Sequence, residues 1–183
     1  MKKSRQALFV AALIILVGSG TLVHIVAAVD APVTDAQIAQ IRVNCVAAKN
    51  TLDRLHASDA LLRINRGQLY ESITTKLMVP FDARLDSNHI DATNLSSTNT
   101  SYVNTLTTFR TDYIAYEVQL STALKIDCIK QPVTFYDAVI SARAKRSQVH
   151  DDITSLHSYI DEYKTDLDAL AKTYNTATQG ASR

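Results

Sequence analysis

A seven-residue pattern runs through residues 132–174, at Phe135, Val139, Ala142, Arg146, Val149, Ile153, Leu156, Ile160, Tyr163, Leu167, Leu170 and Tyr174. Eleven of these twelve are apolar or aromatic, and the residues between them are mostly Asp, Lys, Arg, Ser and Thr. Alternating steps of four and three with polar flanks describe a long helix that buries one narrow stripe against partner helices. At 1.5 Å per residue such a helix would be roughly 65 Å long. The pattern therefore predicts an elongated, coiled-coil-like bundle.

Two further helices follow from the same reading. Thr34 and Gln37 match a capping box, a hydroxyl at the N-cap with an amide side chain three residues on. From there a stripe runs Ile38, Ile41, Cys45, Ala48, Leu52, Leu55, Asp59, Leu62, Arg66, Leu69 and Ile73, then loosely to Leu77. Pro80 disfavours helix at Val79, so this first helix is predicted over about 34–79, ending or kinking at the proline. Residues 86–101 are dense in Asn, Ser and Thr and read as a polar connection. A second helix, about 100–130, carries Tyr102, Leu106, Phe109, Tyr113, Tyr116, Leu120 and Ala123. Pro132 suits the first turn of the third helix, about 132–174. A connection this short makes the second and third helices antiparallel. The polar tail, 175–183, is expected to be disordered.

The chain opens differently. Lys2, Lys3 and Arg5 precede an almost wholly apolar run of 23 residues, Ala7 to Val29. Its length and positive flank predict a hydrophobic membrane helix over 1–29 that contacts the bilayer through residues 7–29. The competing reading is a signal peptide cleaved after about Ala28, since Gly18-Ser19-Gly20 interrupts the run and Val26-Ala27-Ala28 offers small residues. Asp30 to Val33 would then link it to the bundle, residues 34–174. Localisation follows as single-pass in the cell membrane with the C-terminal part outside the cytoplasm, or else secreted.

Charge and cysteine content narrow the functions open to such a chain. The formal net charge is +1, but without the three leading basic residues sixteen basic face eighteen acidic, a body near −2. No basic patch suits a nucleic-acid backbone, so nucleic acid is not an expected partner. The only cysteines, Cys45 and Cys128, are expected to bridge, the alternative being two small buried thiols. Aligning the helices on that bridge and on the Pro132 turn makes the first antiparallel to the second and parallel to the third. Asp59, Tyr116 and Arg146, polar interruptions of the seams, then gather at one level, with Glu117 and Arg143 at the rim. A structural layer is expected there, an ion pair and a tyrosine hydroxyl fixing helix register; the other reading is a polar pocket inside the bundle.

Recognisable catalytic chemistry is missing from the sequence. Glu stands only at 71, 117 and 162, none with His three residues on, so no di-iron pattern exists. There is no nucleophile elbow, phosphate loop, dinucleotide glycine motif or HExxH sequence. Asp53 with His56, and His150 and His157 with Asp161, have helical spacing but suit solvated faces better than a metal. No cofactor and no metal are expected. The expectation is a non-enzymatic, membrane-tethered protein of envelope structure or macromolecular binding at the cell surface, with an unknown protein or envelope partner and self-association left open. The alternative is a ligand-sensing or carrier/chaperone bundle working with a separate membrane partner.

Overall fold

The computed structural model describes residues 33–181, which belong to a unit of their own. Helix α1 spans Asp35–Ser72 and passes through a π-helical stretch, Ile73–Met78, into α2, Val79–Ser87. Helix α3 spans Thr93–Lys125 and α4 spans Pro132–Ala181. The fold is all-α, with three helical rods: α1 to α2, α3, and α4.

The expected membrane helix is corrected here. Its run at 7–29 lies outside the described residues, and among those described no helix is long and apolar enough to cross a membrane. The spanning helix, the single-pass placement and the membrane as a partner thus have no counterpart in the described structure.

Local chemistry sets the ends of the rods. Thr34 Oγ1 accepts from the Gln37 amide at 3.3 Å, and Gln37 Oε1 accepts from the Thr34 amide at 2.8 Å. Pro80 does not end the first rod. A proline at this position cannot donate back along the helix and crowds the carbonyl four residues earlier. The wider π turn, in which the Val79 amide reaches the Thr74 carbonyl, accommodates it.

The polar connection expected over 86–101 shrinks to residues 88–92. His89 takes a left-handed φ of 56°. Its amide bonds to Asp86 O, and the Ile90 amide bonds to Leu85 O at 3.0 Å, a Schellman close in which Ile90 packs with Leu85. The Asp91 carboxylate accepts from the Thr93 amide and hydroxyl, and α3 starts there. The Asn/Ser/Thr-rich start of α3 is helical because Leu95, Thr98, Asn99 and Tyr102 fall on one buried face. Burial outweighs the weak helix preference of these residues. At the other end, α4 continues past Tyr174 to Ala181, so most of the expected tail is helix.

The hairpin of α3 and α4 carries the densest packing. In α4 the buried positions Phe135, Ala142, Val149, Leu156 and Tyr163 lie seven apart. They meet Leu106, Phe109, Tyr113, Tyr116 and Leu120 of α3, most of them in one cluster that extends to Tyr70, Met78 and Leu85 of the first rod. A smaller cluster joins Phe135 to Cys45 and Cys128, which are bridged with their Cα atoms 5.6 Å apart. The first rod runs antiparallel to α3 and parallel to α4. Contacts step from Cys45–Cys128 through Asp59–Tyr116 to Tyr70–Tyr102 along α3, and from Asp59–Arg146 to Tyr70–His157 along α4.

Candidate ligand-binding cleft

Only three residues of α1 are buried, Cys45, Asp59 and Tyr70. The first two stand fourteen residues apart, two full heptads. The next step, from Asp59 to Tyr70, is eleven residues, a 3.67-residue period that slips out of the heptad frame. Beyond it the inward positions are Thr74, Met78 and Leu85. Leu62, Arg66 and Leu69, which the seven-residue stripe predicts as inward, are therefore exposed, Leu62 by 50%. Along this stretch α1 leaves the α3–α4 pair uncovered. A cleft of about 400 Å³ opens there, lined by all three rods.

One end of the cleft is the group around Asp59. Arg146 grips the carboxylate with a fork, Nε to Oδ2 at 2.8 Å and Nη2 to Oδ1 at 3.2 Å. The Tyr116 hydroxyl donates to the same Oδ2 at 2.8 Å. Burial pushes the Asp59 carboxyl up, but the hydrogen bonds from Arg146 and Tyr116 outweigh it and leave it below the usual aspartate range. Burial, then the Asp59 carboxylate, push the Tyr116 hydroxyl well above its ordinary value, so it remains a donor. The Asp59 bond holds the Arg146 guanidinium charged.

Glu117 stands beside this group rather than in it, with its carboxylate 3.0 Å from His56 Nε2. Arg143 is exposed. The structure thus gathers Asp59, Tyr116 and Arg146, sets Glu117 against His56, and leaves Arg143 on the surface.

The other end is closed by Tyr70, 1% exposed, whose hydroxyl lies 2.9 Å from His157 Nε2. The Tyr102 hydroxyl donates to the Tyr70 carbonyl at 2.9 Å. Phe109 meets the Tyr70 ring edge-on at 5.9 Å, and Tyr113 continues the aromatic wall. Burial and the neighbouring Glu117 push the Tyr113 hydroxyl up to about 12, so it is neutral. Arg63 lies over the Tyr113 ring, its guanidinium carbon 5.1 Å from the centroid.

Tyr70 and Arg63 were not among the residues singled out by pattern, and His157, read with Asp161 as part of a solvated face, instead meets the Tyr70 hydroxyl. The signal for Tyr70 was present: Tyr70, Thr74 and Met78 are four apart, but the more apolar Leu69, Ile73 and Leu77 beside them compete for the same face. Gly67 lies in the same stretch and weakens the helix where it borders the cleft.

A second hollow of about 610 Å³ lies near the disulfide between α1 and the start of α4, walled by Ile41, Leu52, Phe135 and Val139. No charged side chain lines it; its polar groups are the neutral ones of Gln37, Gln40, Asn44, Thr51 and Tyr136. Among the described residues no group of three or more His, Cys, Asp or Glu is placed to hold a metal.

No protein-family model matches the chain, and comparison with curated proteins and with solved structures finds no match.

Proposed function

We propose that this chain is a ligand-binding helical bundle, a carrier or sensor, and that its ligand seats in the cleft between α1, α3 and α4. The expectation of a membrane-tethered envelope component is not carried forward; among the described residues no helix is long and apolar enough to cross a membrane. Support for ligand binding comes from one observation. Between two hydrogen-bonded closures, Asp59–Arg146–Tyr116 and Tyr70–His157, about 400 Å³ stays open where all three rods meet. That volume lies in the range of small-molecule sites, and so does an apolar wall carrying a few fixed polar groups. Both closures lock side chains that would otherwise move, so the cleft is organised before a ligand arrives and binding costs less ordering.

The test is to fill the cleft without disturbing its ends. Leu62→Trp and Thr154→Trp project bulk from exposed positions on opposite walls. The uncharged fluorophore N-phenyl-1-naphthylamine should bind the unaltered chain at one saturable site. The double variant should lose that binding while melting at the same temperature. Equal binding by the filled variant would reject the cleft as the site.

A further inference from the structure

Given that the cleft is a binding site, as proposed above, we infer that its ligand is a small amphipathic anion. Such a molecule has an aromatic or short aliphatic body and one carboxylate or sulfonate group. The charge lining the cleft selects it. Three arginines, Arg63, Arg66 and Arg146, line the space, against one carboxylate residue, Asp59. Arg146 and Asp59 satisfy each other through two hydrogen bonds. That leaves Arg63 and Arg66 in excess. Among the described residues neither has a carboxylate within ion-pair distance, although both are on a chain with nearly balanced charge.

The two arginines are three residues apart on α1 and share its cleft-facing side. From there two planar forks can hold one carboxylate or sulfonate in paired, charge-assisted hydrogen bonds. Opposite them, Phe109, Val149 and Ile153 give an apolar wall for the body of the ligand. Arg63 is already stacked over Tyr113, which holds its guanidinium at the boundary between the polar rim and the aromatic wall. A cationic ligand would meet like charge at the rim. A wholly apolar one would leave the arginines unused, and a polyanion would not match the aromatic depth of the cleft.

Two fluorophores with the same aromatic body separate these cases. 8-Anilino-1-naphthalenesulfonate carries the anionic group and N-phenyl-1-naphthylamine lacks it. The unaltered chain should bind the sulfonate at least about tenfold more tightly, the order of one charge-assisted contact. Arg63→Met and Arg66→Met keep the length of the side chain and remove the charge. Together they should erase that preference while leaving the affinity for the neutral probe within about twofold. Both positions are exposed, and unchanged melting curves would verify that the variants fold. If the two probes bind equally, or the arginine variants weaken both alike, the anionic class is wrong while the cleft stands. Should neither probe bind, or should Leu62→Trp with Thr154→Trp leave both unaffected, the cleft itself fails and the anion with it.

Discussion

The α3–α4 hairpin and the first rod are joined to the rest of the molecule in opposite ways. The hairpin closes along a continuous apolar seam, with buried residues seven apart in α4 and an aromatic row from Tyr102 to Tyr116 in α3. The first rod is pinned at separate points. These are the Cys45–Cys128 bridge, Asp59 under Arg146 and Tyr116, Tyr70 between Tyr102 and His157, and Asp82 between Tyr163 at 2.6 Å and Asn99 at 2.9 Å. Near the bridge, Lys49 and Arg42 also donate to the Ile126 and Ile129 carbonyls in the turn after α3. Apolar burial is undirected and accumulates along a whole face, whereas a hydrogen-bonded pin fixes register with little buried surface. Space between pins can stay open, and here it does.

The largest expected effect concerns the pin that is covalent. Replacing both cysteines by Ser removes a bridge across 83 residues of chain, and should cost about 4–5 kcal/mol in a denaturant titration by the loop-entropy estimate. If the contrast holds, hydrogen exchange should rise in α1 far more than in α3 and α4; equal loosening of all three would break it.

Next comes the seam. Leu156 is 0% exposed, and Leu156→Ala should cost about 2–5 kcal/mol. Leu62→Ala, on the cleft, should stay within about 0.5 kcal/mol. Similar midpoints for the two would mean that α1 covers the cleft in solution.

Asp59→Ala strands Arg146 and Tyr116. Because the arginine is half exposed, the expected loss is about 1–3 kcal/mol, below that of a fully buried pair. Asp53→Ala, on the exposed face, should lie near zero. The Asp59 carboxyl sits below its unfolded value, so its stabilisation is present above about pH 4 and fades as pH falls through the lowered value. Thermal melts of both variants down to pH 2.5 would show whether the difference disappears with acid.

A smaller effect tests a polar flaw beside the seam. Burial first, then the facing Asp112 and the adjacent Asp151, push the Asp152 carboxyl up to about 6. One of its oxygens is buried without a hydrogen-bond partner. Since the folded value is raised, this group favours the fold at low pH and that contribution is lost as pH rises through about 6. Asp152→Asn should flatten the melting temperature between pH 5 and 7 and raise it at pH 8; an unchanged slope would remove Asp152 as its source.

The parts of this architecture legible in the sequence are those where one period governs. In α4 the heptad stripe passes through every deeply buried residue except Pro132 and Ala138, because a straight pairing with α3 keeps one face inward throughout. Cysteine content and a short turn at Pro132 were enough to align the rods, and Asp59, Tyr116 and Arg146 stood out as polar residues in apolar stripes. The cleft was hidden because it arises where the period of α1 changes. A seven-residue reading carries straight through from Asp59 to Arg66 and Ile73, and nothing in a single rod shows that its partners face elsewhere. The helical start of α3 was hidden for a related reason. Thr98 and Asn99 are buried with partners distant in sequence, Thr98 donating to Asp166 and Asn99 to Asp82. Local preference alone argues for a loop there.

The wide turn at Ile73–Met78 makes the first rod a kind of vernier. A π turn holds about one residue more than the α turn it replaces, so the surplus is absorbed within that stretch and need not rotate Asp82 and Leu85 away from their partners. Removing Thr75, which is exposed, would tighten the coil to ordinary pitch and still deliver Asp82 to Tyr163. The same deletion within α3 would swing a whole aromatic row out of mesh. Chain length is thus negotiable within the first rod, directly beyond the Tyr70 closure of the cleft.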